Sequence, residues 1–109
     1  MIKVDDVTDA VAGASQILIL DMRKVVNYTD YFVICHVANN KLTDPMLSAA
    51  INKLTSQGHI EPRIREKAVD KTWLLADYGS VILHVFSHEA REYYRLEKLW
   101  GQVPQQEVA

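Results

Sequence analysis

The chain has 109 residues, 49% of them apolar and 24% charged, which suits one ordinary globular domain whose core needs neither disulfides nor a structural metal. Its formal charge of −2, from 12 basic and 14 acidic residues, argues against a grip on nucleic acid through phosphates and leaves a basic protein partner open. The single cysteine, Cys35, forbids an internal disulfide, no apolar run approaches the roughly 20 residues of a membrane span, and the acidic start MIKVDDVTDA suits neither a signal nor a transit peptide, so a cytoplasmic location is expected.

In residues 4–12, Val4, Val7 and Val11 recur at roughly helical spacing, and Gly13 closes that short helix. Residues 16–22, QILILDM, form an apolar, β-branched run that reads as a buried strand. Asn27 to Asp30 supply turn residues, and residues 31–38, YFVICHVA, make a second buried strand. After Asn39 and Asn40 a helix is expected from Asp44, with that aspartate as cap and Pro45 at the first helical position. Met46, Leu47, Ala50, Ile51 and Leu54 form its apolar stripe, and Gly58 stops it. Residues 60–67, IEPRIREK, read as an edge strand because of Pro62. Residues 72–76 and 81–86 flank Asp77-Tyr78-Gly79-Ser80, a hairpin in which Gly79 can take positive φ. Ser87 is expected to cap the last helix, with Glu89 in its first turn. Tyr93, Leu96 and Trp100, widened by Leu99, would share one face of that helix, which Gly101 ends. The domain is placed at residues 1–101, and the polar segment 102–109, QVPQQEVA, is expected to be disordered. The order α-β-β-α-β-β-β-α predicts an α+β fold, a single mixed sheet of about five strands flanked by helices.

Among chemistry-bearing groups, His84 and His88 have a suggestive spacing, and Glu89 follows. His84 falls in a strand and His88 opens a helix, so they do not share a helix face, and no metal site is expected from them or from His36 and His59. The better reading of His84 is a hydrogen-bonded residue within or beside the sheet. Cys35 and His36 are strand neighbours and point to opposite faces, which leaves a buried, inert thiol. Nucleotidyl transfer needs carboxylates on magnesium beside a phosphate cradle. There is no glycine-rich loop and no acid-x-acid pair; Asp21, Asp30 and Asp77 merely end or begin strands. Arg63, Arg65 and Lys67 would share one face of the edge strand, with Lys71 beyond, as a charge-defended edge or a minor RNA contact. Trp73, Asp77 and Tyr78 on the hairpin, with Tyr93, Tyr94, Glu97 and Trp100 on the last helix, mix aromatics and charge as a protein-binding patch does. Against this stands the reading that Trp73, Tyr93 and Trp100 are simply core.

The same residues resemble a family signature. Trp73 to Phe86, WLLADYGSVILHVF, is similar to a tryptophan, an Asp-aromatic-Gly turn and a strand ending His-Val-Phe. Arg91, Tyr94, Leu96, Glu97, Leu99 and Trp100 match R-x-x-Y-x-L-E-x-L-W. Upstream, Asp30 to Ile34 reads DYFVI, and Asp21 matches an acid after the first strand. Over residues 17–100 the chain resembles the Iojap-like ribosomal silencing factors. It departs from them at Val37 to Lys41, where the family usually has Gly-x-Ser and a basic residue, and at Ser80, where an acid is usual.

The resemblance implies a sheet similar to that of nucleotidyltransferases without their catalytic residues, no enzymatic activity and no cofactor. It implies binding to the large ribosomal subunit through the L-fourteen family ribosomal protein, a steric block to joining of the small subunit, and repression of translation when nutrients are scarce. Trp73, Asp77, Tyr78, Tyr31 and Glu97 are the expected partner contacts, with Gly79, His84, Arg91, Tyr94 and Trp100 in support. A monomer is expected on the ribosome, and an exposed aromatic patch offers a route to a homodimer when the chain is free. The competing readings are a degenerate nucleotidyltransferase-like protein that binds a nucleotide and an RNA-contacting ribosome assembly factor.

Overall fold

The computed structural model describes residues 2–67 and 70–108, with the backbone alone for residues 64–67. Its elements run α1 (Val4–Ala10), β1 (Ser15–Asp21), β2 (Tyr31–Val37), α2 (Thr43–Ser56), β3 (Ile64–Lys67), β4 (Trp73–Asp77), β5 (Val81–Ser87), α3 (His88–Tyr94), α4 (Leu96–Leu99) and β6 (Gln105–Glu107). The strands form one mixed sheet in the order β3-β4-β5-β2-β1-β6. The pairs β1–β2, β3–β4, β4–β5 and β1–β6 are antiparallel, and the central pair β2–β5 is parallel.

Strand alternation divides the core in two. On one face Ile17, Ile19, Val33, Cys35, Leu74, Ala76, Leu83 and Val85 meet Val7 and Val11 of the α1 segment and Leu47, Ala50, Ile51 and Leu54 of α2. On the other, Leu18, Leu20, Phe32, Ile34, Ile82 and Phe86 meet Ala90, Leu96 and Val103. β2 and β5 are buried on both faces, which is why YFVICHV and VILHVFS read as continuous apolar runs rather than alternating ones. Among the described residues no helix is long and apolar enough to cross a membrane.

Local signals act as expected at several points. Gly79 has φ +86° in the β4–β5 turn, Gly58 has φ +92° after α2, and the Ser87 hydroxyl accepts from the Ala90 N–H at 3.1 Å to cap α3. The edge position of β3 follows the Pro62 reading, although the strand is shorter than the eight residues expected. Arg63 precedes it, and the shared face proposed for Arg65 and Lys67 concerns side chains outside the described ones.

Three expectations are corrected. α2 starts at Thr43, so Asp44 is the second helical residue rather than the cap and Pro45 the third. The Thr43 hydroxyl bonds outward to the carbonyls of Asn40, at 3.0 Å, and Lys71, at 2.6 Å, which ties the helix start to the approach to β4. The last helix is not continuous: Arg95 takes the left-handed conformation (φ +48°, ψ +51°) and separates α3 from α4. The break lets Leu96 and Trp100 reach the sheet while Tyr93 and Leu99 stay exposed, so the four do not share a face. Finally, the segment after Gly101 is ordered. β6 extends the sheet along β1, and Val103 is buried. Polar composition hid this because the pairing uses backbone groups, which any side chain permits.

Leu74 is fully buried on β4, whereas Ile60 is 80% exposed. In urea unfolding Leu74→Ala is expected to cost about 2–5 kcal/mol. Ile60→Ala should stay within about 0.5 kcal/mol of the parent chain.

Candidate partner-binding face

β4 presents Leu74 and Ala76 to the α2 side and Trp73 and Leu75 to the other. On that second side α3 packs over β5 and β2, and Trp73 and Leu75 remain half-buried. A row of rings crosses this face. Tyr28 lies 6.5 Å from Phe32, Phe32 4.7 Å from His84, His84 6.0 Å from Trp73, Trp73 5.1 Å from Tyr94, and Tyr94 5.0 Å from Tyr93. Trp100 adds an edge contact to Phe32 at 6.3 Å. These separations are in the range where ring pairs attract beyond simple burial. Both ends of the row, Tyr28 and the Tyr93–Tyr94 pair, are exposed.

His84 anchors the row. Its Nδ1 accepts from the Trp73 indole N–H at 3.1 Å, which fixes the indole. Burial pulls its pKa down from 6.5 to about 4, so the ring is neutral with the proton on Nε2. Nε2 is buried without a hydrogen-bond partner among the described residues, and the Phe32 ring meets the imidazole edge-on.

The hairpin end is a separate place. Asp77 Oδ1 accepts from the Gly79 N–H at 2.7 Å and stands 3.5 Å from the Arg63 guanidinium. Tyr31 lies across the sheet from Val81, donates its N–H to the Ser80 carbonyl at 3.1 Å, and has the Arg23 guanidinium 5.3 Å from its ring. Tyr31 and Tyr78 both pack toward the α2 side, whereas the strand register puts Asp77 opposite Ile82, of the second cluster. Ser80 donates to the Ile2 carbonyl at 3.0 Å and holds down the chain ahead of α1. Asp21 is held by Arg23 at 2.7 and 2.9 Å, which drops its carboxyl to about 2. Asp21 and Asp77 thus each have an arginine of their own, and among the described residues no three metal-ligating side chains converge.

A third place surrounds Arg91, which is buried. Its Nη1 donates to the carbonyls of Gln16 at 2.5 Å and Ser15 at 3.4 Å and to His36 Nδ1 at 3.0 Å, and its Nε lies 3.7 Å from Glu97. Gln16 has φ +47°, and the β1–β2 register shifts between Ser15 and Leu18. Arg91 therefore fills the bonding needs of a bulge. Burial, then the Arg91 charge, lowers the His36 pKa and keeps that ring neutral. Cys35 points the other way, into the first cluster, where burial pushes its thiol up to about 12.

The expected partner residues thus divide. Trp73 lies on the aromatic face at one end of β4 and Asp77 at the other end, roughly 13 Å along the strand. Tyr31 and Tyr78 border the hairpin, and Glu97 belongs to the Arg91 group near the start of β1. Tyr94 and Trp100 lie on the aromatic face itself. Reading by residue missed Tyr28, Phe32, Leu75 and Phe86. Period-2 spacing within β2 and β5 could have grouped Phe32, His84 and Phe86 on one face once the two strands were known to pair.

Residues 2–109 match the family model described as "Ribosomal silencing factor during starvation". The chain is 37% identical over 91 residues to the ribosomal silencing factor of Bacillus subtilis, spanning 84% of this chain and 76% of that one. It is 33% identical over 93 residues to the mitochondrial assembly of ribosomal large subunit protein 1 of Mus musculus, spanning 81% of this chain and 40% of that protein. A crystal structure of a Bacillus halodurans protein superposes with a TM-score of 0.79 at 33% identity, over 96% of each chain.

Two measurements probe the buried polar groups. Between pH 6.5 and about 4 the unfolded chain binds a proton at His84 that the folded chain refuses, so this residue's contribution to stability falls as pH falls through that window. His84→Gln, whose Oε1 can still accept from Trp73, should remove on the order of 2 kcal/mol of the stability difference between about pH 7 and about pH 5 in urea titrations. Arg91→Met strips the bonds from Ser15, Gln16 and His36 and should destabilise by roughly 3–5 kcal/mol in the same assay.

Proposed function

This chain belongs to the ribosomal silencing factor family, and from that membership we propose that it binds the large ribosomal subunit through the L-fourteen family ribosomal protein, blocks joining of the small subunit, and so represses translation under nutrient limitation in the cytoplasm. The observation that carries the reading is the half-covered sheet face, where Trp73, Tyr94 and Leu75 are accessible above the buried rings of His84, Phe32 and Phe86. Rings packed against one another, with an indole already hydrogen-bonded, lose little freedom on binding, and such anchors dominate protein interfaces. Asp77 contributes a carboxylate at the margin of the patch, where Tyr31 and Tyr78 border the turn, and acids there suit a basic ribosomal protein. Glu97, turned to Arg91, acts as a support for α4 in this scheme. The mechanism is occupation of space: no bond is made or broken. The name of the murine relative, which refers to assembly of the ribosomal large subunit, agrees with that choice of subunit.

Co-sedimentation with separated large subunits, small subunits and intact ribosomes tests the proposal. The chain should pellet with large subunits and lower the yield of joined ribosomes; pelleting with small subunits only, or with neither, would overturn it. Tyr94→Ala combined with Asp77→Asn, which keeps the acceptor for Gly79, should weaken binding at least about tenfold while the chain stays fully folded at the assay temperature. Equal binding by that double variant would move the contact surface elsewhere.

A further inference from the structure

β1 carries the uncharged run Gln16 to Leu20, and one of its edges is taken by β2. Left open, the other edge would be a long apolar template for pairing. It is closed by only a three-residue strand whose side chains are all exposed. The ladder continues beyond that strand on both sides: the Asp21 N–H donates to the Pro104 carbonyl, and the Val108 N–H to the Ile17 carbonyl, both at 2.9 Å. Val103 is buried in the second cluster, and Val108 packs against the first. The segment is also tied to the end of α4: the Val103 N–H donates to the Trp100 carbonyl at 3.1 Å and Gln105 Nε2 to the Glu97 carbonyl at 2.8 Å. The connection that brings the segment back is tight. Gly101 donates to the Lys98 carbonyl at 3.1 Å, and a Cβ on Gly101 would stand 3.2 Å from that same oxygen.

We propose that the outer edge of β1 is a strand-acceptor site, filled in the monomer by the chain's own residues 103–108 and open to the same segment of a second copy, giving a strand-exchanged dimer. The occupant is identified by what already sits there, since a second copy brings the same backbone groups and the same two valines. Exchange frees the turn at Gly101 and leaves the ladder unchanged. The site is independent of the aromatic face.

The test uses the full chain. By antiparallel alternation the pairs 17/108, 19/106 and 21/104 are the hydrogen-bonded ones, so Gln106→Pro removes the central bond without touching either valine. A fluorescent peptide of residues 102–108 is titrated into the parent and Gln106→Pro chains. In the parent the tethered segment competes at an effective concentration of roughly millimolar, so Gln106→Pro should bind the peptide at least about tenfold more tightly. The same peptide carrying the proline should not bind. By sedimentation velocity, Gly101→Ala should raise the dimer fraction, and adding Gln106→Pro should abolish that rise. Equal peptide affinity for both chains, or no binding to either at millimolar peptide, would overturn the acceptor site. So would a Gly101→Ala dimer that survives Gln106→Pro, because its contact would lie elsewhere, as on the aromatic face.

Discussion

Parallel pairing of β2 with β5 constrains everything around it. Two parallel neighbours cannot be joined by a tight turn, so the chain must leave the end of β2 and return to the start of β5 by a long route. Here the route holds α2 and the β3–β4 hairpin, and it spends the longest helix on one face of the sheet. Both central strands are nonetheless buried on both faces, so the second face also needs a cover. What remains for it is a seven-residue helix, a four-residue helix and the turn through Val103. That cover packs on β5 and β2 and reaches β4 at its Trp73 end, through Tyr94. The accessible ring of Trp73 is a consequence of where helix runs out.

The placement of that short cover depends on Arg91. A buried guanidinium is costly unless its donors are used. The start of β1 provides the Ser15 and Gln16 carbonyls, His36 provides Nδ1, and Glu97 stands 3.7 Å from Nε as the counter-charge. Tyr94 follows Arg91 by three residues, one position along the same helical surface. Locking Arg91 to the start of β1 therefore sets where Tyr94 lands on Trp73.

Much of this was legible in the sequence, and the limits have physical causes. Continuous apolar runs located β2 and β5, Gly79 and Ser87 marked a turn and a cap, and Pro62 kept its segment to an edge. Each of these signals is local. The break at Arg95 had no such signal, because a left-handed arginine is disfavoured and is imposed by Leu96 and Trp100 reaching for the sheet. β6 was invisible for the opposite reason: pairing to β1 asks nothing of its side chains, and a composition of glutamine and glutamate reads as solvated tail. At the candidate site the residue types were legible and their grouping was not. Trp73, Asp77, Tyr78, Tyr31 and Glu97 read as one cluster, yet alternation along β4, the pairing of Asp21 with Tyr31 and the bulge at Gln16 distribute them over three places.

That distribution bears on how a slightly acidic chain could recognise the partner proposed for it. A net charge of −2 gives no attraction to ribosomal RNA, and the phosphate surface repels it at long range. Under the proposed function, recognition rests on short-range contact with a protein, where rigidity counts more than area. The aromatic face meets that requirement from within. The indole of Trp73 is oriented by a histidine that burial keeps neutral, and the rings beneath it are core. Asp21 and Asp77 at the hairpin end are each held in place by an arginine, Arg23 and Arg63. A surface of this kind discriminates by shape and desolvation first and by charge second.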